Sequence, residues 1–312
     1  MAGREGKRKL VRRQGSFRTV ALLMLVPIAG FVAFFGYRYL RDQLIRTPHA
    51  RTQEQASMAA PAKPRDISRK LPAPRPAEVV SPTRPPASRA KNGHGAIVLI
   101  LDDVGFDRQP LASAMAIDPN INFSILPNSG NAAAFADELH HAGFEILCHL
   151  PMEPLNYPRE SPGRNAIMMA MDDAQIAQVT RENLAAVPHV VGVNNHMGSA
   201  ATRDPRVMAA VLKALPAGMF FIDSRTTSGS VGEQLAREMK IPTASRHVFL
   251  DDVQSEAAVR QQLANLAAAA NRDGVAIGIG HMYPVTIRVL SQDVPELRAA
   301  GYRFVRANEA VR

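Results

Sequence analysis

A short apolar run followed by an alanine-rich stretch recurs along residues 95–312, and this repeat constrains the fold most strongly. The apolar runs are rich in Val, Ile and Phe, as in buried strands, and the alanine-rich stretches favour helices. Strand and helix in alternation predict βα units and a parallel sheet. The candidate strands are Ile97–Leu101, Asn122–Leu126, Glu145–Cys148, Val190–Val193, Met219–Ile222, Val248–Leu250, Val275–Ile279 and Tyr302–Val305, with Pro242–Ala244 as a weaker one.

The predicted helices fit between these strands. They are Ala132–Ala142, Asp173–Ala186, Pro205–Leu215, Val231–Met239, Glu256–Arg272 and Ser291–Ala300. Seven or eight such repeats predict an α/β fold, a (β/α) barrel of seven or eight parallel strands. A doubly wound open sheet is the alternative, because periodicity does not separate the two.

The N-terminal region carries an uncharged run of 19 residues, 19–37, which is about the length that crosses a hydrocarbon core of ~30 Å. Basic residues crowd the segment before it, so the positive-inside rule predicts a cytoplasmic tail over 1–18. We expect a transmembrane signal anchor over 19–40, with the remainder outside the cytoplasmic membrane, in the periplasm or beyond. A cleaved signal peptide is the alternative, but its apolar region is usually shorter and ends at an Ala-x-Ala site.

Residues 41–93 are rich in Pro, Ala, Arg and Ser, with eight prolines between Pro61 and Pro86. Such a segment buries too little apolar surface to fold, so it predicts a disordered linker before a domain over 94–312. Residues 1–93 also hold 19 of the 37 Lys and Arg but only 5 of the 28 Asp and Glu. The domain is therefore mildly acidic and lacks Trp, which argues against a nucleic-acid partner.

Polar residues follow one predicted strand after another. In parallel barrels and open sheets the carboxyl ends of the strands meet at one rim, where active sites form. Six strand ends with such residues therefore predict a shared site. The residues are Asp102 and Asp103, His149, Asn194 to His196, Asp223 to Arg225, Asp251 and Asp252, and His281.

Asp103, His149 and His196 are the candidate ligands of a divalent cation, for which Zn²⁺ is the best match, because aspartate and neutral histidine are typical zinc ligands. Asp102 can then act as a general base that takes a proton from water. Taken alone, the pair Asp102 and Asp103 has an alternative interpretation, in which one aspartate caps the following helix and the other is a solvated surface acid. A core histidine is the alternative for His149 alone.

Other rim residues allow more than one role. Glu153 can be a metal ligand, a hydrogen-bond partner of a metal ligand or a surface acid. His281 can be a general acid or form a structural hydrogen bond. Arg225 suits an oxyanion or carboxylate contact, or a structural pair with Asp223. Two further candidates for substrate contact or support of the site are Asn195 and Asp251.

The chain resembles the divergent polysaccharide deacetylase family, a branch of the metal-dependent carbohydrate esterases, over about residues 95–310. The motifs that carry the resemblance are Ile97–Gly105 (IVLILDDVG), His149–Pro154 (HLPMEP), Asn194–Ser199 (NNHMGS), Phe221–Ser224 (FIDS) and Ile279–His281 (IGH). The resemblance implies a distorted (β/α) barrel. It also implies that Asp102 is the base, that Asp103 binds metal and that His281 is the acid.

Two departures from the mainstream polysaccharide deacetylase pattern stand out. Glu153 occupies the position of a second metal histidine, and no Arg-x-Pro-Tyr motif is visible. The expected function is a membrane-anchored, metal-dependent hydrolase that deacetylates an N-acetylated cell-envelope polysaccharide. A glycan-binding homologue without this activity and an anchored structural protein are the alternatives.

Overall fold

The computed structural model describes residues 94–312. The predicted tail, anchor and linker over 1–93 lie outside the described residues. Within the described part, none of the helices combines the length and apolarity that a bilayer crossing requires.

Nine parallel strands form a single sheet whose order is β6-β5-β4-β3-β2-β1-β8-β7, with β9 paired to the start of β1. The two ends of this ladder do not pair within 94–312, so the sheet is a curled half-barrel and not a closed barrel. The strands are β1 (Ala96–Val104), β2 (Asn122–Ile125), β3 (Glu145–Met152), β4 (Gly192–Met197), β5 (Phe220–Asp223), β6 (Thr243–Ser245), β7 (Val248–Phe249), β8 (Val275–His281) and β9 (Arg303–Phe304).

Seven α-helices connect the strands of the described part, and the prediction missed the first of them. They are α1 (Leu111–Met115), α2 (Ala132–His141), α3 (Asp173–Ala185), α4 (Pro205–Ala214), α5 (Gly232–Glu238), α6 (Glu256–Asp273) and α7 (Pro284–Ala299). Helix α7 begins seven residues before the predicted Ser291, because Pro284 is well suited to the first turn of a helix. Asp172 caps α3 through the Gln175 N–H, and Asp204 caps α4.

Strand alternation divides the buried residues into an inner and an outer core. The inner core consists of strand residues and the C-terminal segment, for example Val98, Ile100, Ile222 and Ile277. The outer cores include residues of the helices. The concave face of the half-barrel is therefore lined by alternate strand residues, which is the face on which a site at the strand ends must lie.

Segment 305–312 closes the amino end of this concave face. The Ala307 N–H donates to Asn122 Oδ1 at 2.9 Å, and the Asn308 N–H donates to Glu145 Oε1 at 3.0 Å. The main chain of Arg312 pairs with Thr243 through two hydrogen bonds of 3.1 and 3.2 Å. The segment thus crosses from β1 to β6 and forms the floor of the half-barrel.

Asn122→Ala is expected to lower the free energy of unfolding by about 2–4 kcal/mol, because it removes the side-chain hydrogen bonds to two buried main-chain groups. The fully buried Asn122 amide joins the Leu99 carbonyl, at 2.8 Å, to the Ala307 N–H. Urea denaturation of the full chain measures the change, with the exposed Asn156→Ala as the control that should stay within ~0.5 kcal/mol. Equal stability of the two variants would show that the floor is not held through Asn122.

Candidate active site

The polar residues of the site lie within the strands and not after them. Strand β3 continues through His149 to Met152, and β4 continues through His196 to Met197. The ladder pairs His149 with Asn194 and Asp102 with His281. The residues by which β3 and β4 exceed their predicted lengths still alternate between the two faces of the sheet. Every second one therefore extends the concave face toward its carboxyl rim.

Asp103, His149 and His196 bring one donor atom each to a common point, all within 4.8 Å of one another. Asp103 Oδ1 lies 3.4 Å from His149 Nε2 and 3.0 Å from His196 Nδ1. The two imidazole rings are T-shaped, with centroids 4.9 Å apart. The three residues predicted as metal ligands are therefore neighbours in the structure.

A bulge in β1 allows two consecutive aspartates to face the same site. The pairing of β1 with β2 shifts between Leu101 and Val104, and Asp103 has a left-handed backbone with φ of 57°. This conformation costs energy for a residue other than glycine, and such strain is concentrated at functional sites. Both carboxylates consequently approach His149 Nε2, since Asp102 Oδ2 lies 3.5 Å away.

The donor set fits a divalent cation. Asp103 Oδ1 is buried and accepts no hydrogen bond, which is costly for a carboxylate oxygen without a cation beside it. Burial acts to raise the pKa of Asp103, but the two imidazoles outweigh it and hold this pKa well below its usual range. One carboxylate oxygen with two imidazole nitrogens is a donor set typical of Zn²⁺ and related cations.

Asn194 links the members of this cluster and is fully buried. Its Nδ2 donates to both oxygens of Asp102, at 2.9 and 3.1 Å. Its Oδ1 accepts from Ser124 Oγ at 2.5 Å and from His149 Nδ1 at 2.9 Å. Because an amide oxygen only accepts, His149 carries a proton on Nδ1, and Nε2 is the nitrogen that is directed at the cation site.

The prediction included both asparagines among the rim residues but singled out Asn195, and not Asn194, for substrate contact or support of the site. The structure places Asn195 on the other face of β4, where its Oδ1 accepts from the Ser224 N–H and its Nδ2 donates to the Met197 carbonyl. Strand alternation counted back from His196 is the sequence signal that would have selected Asn194.

Asn194→Ala is expected to weaken binding of a divalent cation by about 10- to 100-fold, because His149 loses the partner that fixes its ring and tautomer. The adjacent Asn195→Ala is the matched control and should leave the affinity unchanged. Competition with a chromophoric chelator measures both. An unchanged affinity in Asn194→Ala would remove this residue from the support of the cation site.

Asp102 and His281 face each other across the strand pair β1 and β8. Burial raises the pKa of Asp102 above its ordinary value, although the charges of His149 and His281 oppose the shift. A raised pKa brings a carboxylate closer to the range in which it exchanges protons near neutral pH.

His281 is held by Asp251 through two contacts. Asp251 Oδ1 accepts from His281 Nδ1 at 2.8 Å, and Oδ2 accepts from the His281 main-chain N–H at 2.7 Å. Thr286 also donates to Oδ2 at 2.7 Å. Burial lowers the pKa of His281, but the bond to Asp251 outweighs it and raises this pKa to about 9. The ring is therefore protonated at neutral pH, with Nε2 4.0 Å from Asp103 Oδ2.

Comparison with known proteins agrees with this geometry. Residues 99–311 match the family described as divergent polysaccharide deacetylase. The chain belongs to this family. Relatives include the uncharacterized protein YibQ of Escherichia coli (strain K12), 35% identical over 65% of this chain and 63% of its own length. An uncharacterized protein of Haemophilus influenzae is 34% identical over 69% of this chain and 78% of its own length.

The crystal structure of the uncharacterized protein ATU2773 from Agrobacterium tumefaciens C58 shares the fold. It superposes with a TM-score of 0.67 and 20% identity, over 70% of this chain and 90% of that chain. The present chain spans less than two thirds of the length of the Escherichia coli relative. The likeness to the Agrobacterium tumefaciens structure supports the fold of this family member.

Glu153 lies beside the cluster without joining it. Its Oε2 accepts from the Met169 N–H at 2.7 Å, and its carbonyl accepts from the N–H groups of Ala200 and Ala201. These bonds tie the loop after β3 to the loop after β4. Glu153 therefore shapes the rim.

Asp223 and Arg225 form a second region of the rim. Asp223 Oδ1 accepts from the Arg225 main-chain N–H at 2.8 Å, and Oδ2 accepts from Ser230 Oγ at 2.6 Å. The Arg225 side chain lines a separate cleft, whose lining includes none of the three cation donors. The Asp223 carboxylate therefore forms its hydrogen bonds with the loop after β5 and not with the cation donors.

Sequence reasoning missed two aromatic residues that stack on His281 and an arginine that stacks on one of them. The Phe249 and Tyr283 rings stack beside its imidazole, with centroids 6.0 and 5.2 Å away. The Arg246 guanidinium lies 3.8 Å above the Phe249 ring. Tyr283 follows His281 by two residues, but Arg246 and Phe249 approach it only through the pairing of β7 with β8, which no local pattern indicates.

Cys148 points away from the site into the outer core. Burial raises the pKa of its thiol to about 12, so the thiolate is not populated at neutral pH. Strand alternation accounts for this, because Cys148 and His149 are adjacent in β3 and point to opposite faces of the sheet.

Proposed function

We propose that this protein is a metal-dependent hydrolase that removes acetyl groups from an N-acetylated polysaccharide. One observation carries the proposal: Asp102, beside the cation donors, is the register partner of the protonated His281 on the adjacent strand. A base and an acid next to the same cation site are what amide hydrolysis requires. Membership of the divergent polysaccharide deacetylase family supports the substrate class.

Each residue has a role that follows from its contacts. Asp103, His149 and His196 would hold the cation, which when bound polarises the acyl carbonyl. Asp102, oriented by Asn194, accepts a proton from the attacking water. His281 Nε2 donates a proton to the departing amine, since Nδ1 is already bonded to Asp251.

The rim favours a polymer over a small metabolite. Four of the five exposed large apolar side chains of the described part lie on loops after β1, β3 and β7. Of these four, Phe106 lines the cleft beside Asp103 and His196, where its aromatic ring can stack on the apolar face of a sugar. The four residues are Phe106, Leu155, Tyr157 and Val253.

The proposed location is the outer side of the cytoplasmic membrane. The uncharged run 19–37 and the basic tail before it support a single-pass anchor with the N-terminus inside, which places the domain near cell-envelope glycans. A reporter enzyme fused after Arg312 should be active outside the cytoplasm. Activity inside the cytoplasm would overturn the orientation.

A glycan-binding protein without deacetylase activity is the second candidate. Glu153 is engaged with Met169 and not with the cation donors, which leaves three protein ligands from three strands. Acetate release from N-acetylated oligosaccharides, with the chain saturated with Zn²⁺ and then treated with a chelator, decides between the two. Release that stops on chelation supports the hydrolase. Binding without release across a broad pH range supports the glycan-binding protein.

A further inference from the structure

A cleft of about 420 Å³ opens beside the cation donors. Asp103 and His196 form one end of it, and loops after β1, β2 and β3 form the remaining walls. This volume is within the ~300–1,000 Å³ range of ligand pockets in proteins. A substrate whose acetyl group reaches the cation site must therefore occupy this cleft with its neighbouring atoms.

The residues that line the cleft include apolar side chains and one positively charged side chain. Phe106 is 48% exposed and lines the cleft together with Leu126 and Pro162. Arg164 and Asp103 are the charged side chains among the lining residues, and Asp103 belongs to the cation donors. Arg164 is thus the positively charged residue among those that line the cleft.

The main chain that carries Arg164 is anchored at two points. The Arg164 carbonyl accepts from Asn128 Nδ2 at 2.5 Å, and the Asn165 carbonyl accepts from the buried Asn183 Nδ2 at 2.9 Å. The guanidinium itself is exposed and has no ion pair within residues 94–312. A fixed backbone with an unpaired guanidinium favours recognition of an anion supplied by a ligand.

We propose that this cleft binds an acidic glycan and that Arg164 pairs with a carboxylate on the acetylated sugar or its neighbour. The inference rests on the proposed function and names its substrate class. A single guanidinium matches the single charge of a carboxylate. A phosphate monoester brings about 1.5 to 2 charges, which this one cation would leave partly uncompensated near Asp102 and Asp103.

The test compares two ligands that differ only in charge. One is a tetrasaccharide of alternating N-acetylglucosamine and N-acetylmuramic acid, and the other is its methyl ester. Calorimetry on the full chain with Zn²⁺ bound should show about tenfold or greater preference for the free acid, as a charge-assisted pair provides. Arg164→Ala should reduce this preference to less than about twofold. Arg159→Ala, an exposed arginine on the same loop outside the cleft, should preserve it.

Equal affinity of the wild type for the two ligands, no binding of either, or an unchanged preference in Arg164→Ala would each overturn the proposal. The readout is binding and does not depend on turnover. A retained preference without acetate release therefore refutes the hydrolase and leaves the acidic-glycan cleft in place. Acetate release with no preference refutes only the cleft assignment.

Discussion

Asp102→Asn is expected to lower acetate release by about 10²- to 10⁴-fold, because the substitution removes the base and keeps the shape of the side chain. The Asn194 amide donates to both oxygens of Asp102, and the amide oxygen of the variant can still accept one of these bonds. The donors on Asp103, His149 and His196 are unchanged, so the content of bound cation should stay the same. Steady-state release from an N-acetylated oligosaccharide measures the loss.

A matched substitution separates this effect from a general effect of charge. Asp107 lies on the loop that follows β1, is exposed, and accepts a hydrogen bond from Asn131 at the surface. Asp107→Asn should retain turnover within about twofold, since surface substitutions are usually close to neutral. If Asp102→Asn kept more than a tenth of the wild-type rate, Asp102 would not be the base.

His149→Ala is expected to abolish stoichiometric binding of the cation, with an affinity loss of at least about 100-fold. A ligand contributes more than the partners that orient it, whose removal costs about 10- to 100-fold. The His149 side chain is buried, and its Nε2 atom is directed at both aspartates. We therefore expect that no other side chain takes its place as a ligand in the variant. Elemental analysis after dialysis against Zn²⁺ measures the content.

The exposed His140→Ala is the control for His149→Ala. His140 stacks on His189 at the surface and lies outside the group of cation donors. One bound cation per chain in His140→Ala and none in His149→Ala is the expected pair of results. Unchanged affinity in His149→Ala would remove this residue from the ligand set.

Repetition in the sequence was sufficient to predict a parallel α/β sheet and the rim on which polar residues meet. It did not predict where strands end. The prediction stopped β3 at Cys148, because the apolar run stops there, whereas the ladder with β4 continues to Met152. Buried polar residues can remain in a strand when they bond to one another, as His149 and Asn194 do.

Long-range packing accounts for what the sequence could not predict. The open edge of the half-barrel depends on β6 and β7 failing to pair, which hydrophobic periodicity does not encode. The Arg246 and Phe249 stack beside His281 depends on the same edge. The left-handed backbone of Asp103 is likewise imposed by its surroundings, since no glycine marks the position.

The pairing of β1 has a consequence for the order of folding. Its partners β8 and β9 lie near the other end of the domain, and segment 305–312 covers the inner core last along the chain. In a nascent chain that ends before β8, one edge of β1 has no paired strand. The inner-core residues Val98 and Ile100 then lack the contacts that β8 and segment 305–312 supply. Such high contact order slows folding to the millisecond-to-second range. The domain therefore completes its fold only after nearly all of it has been synthesised.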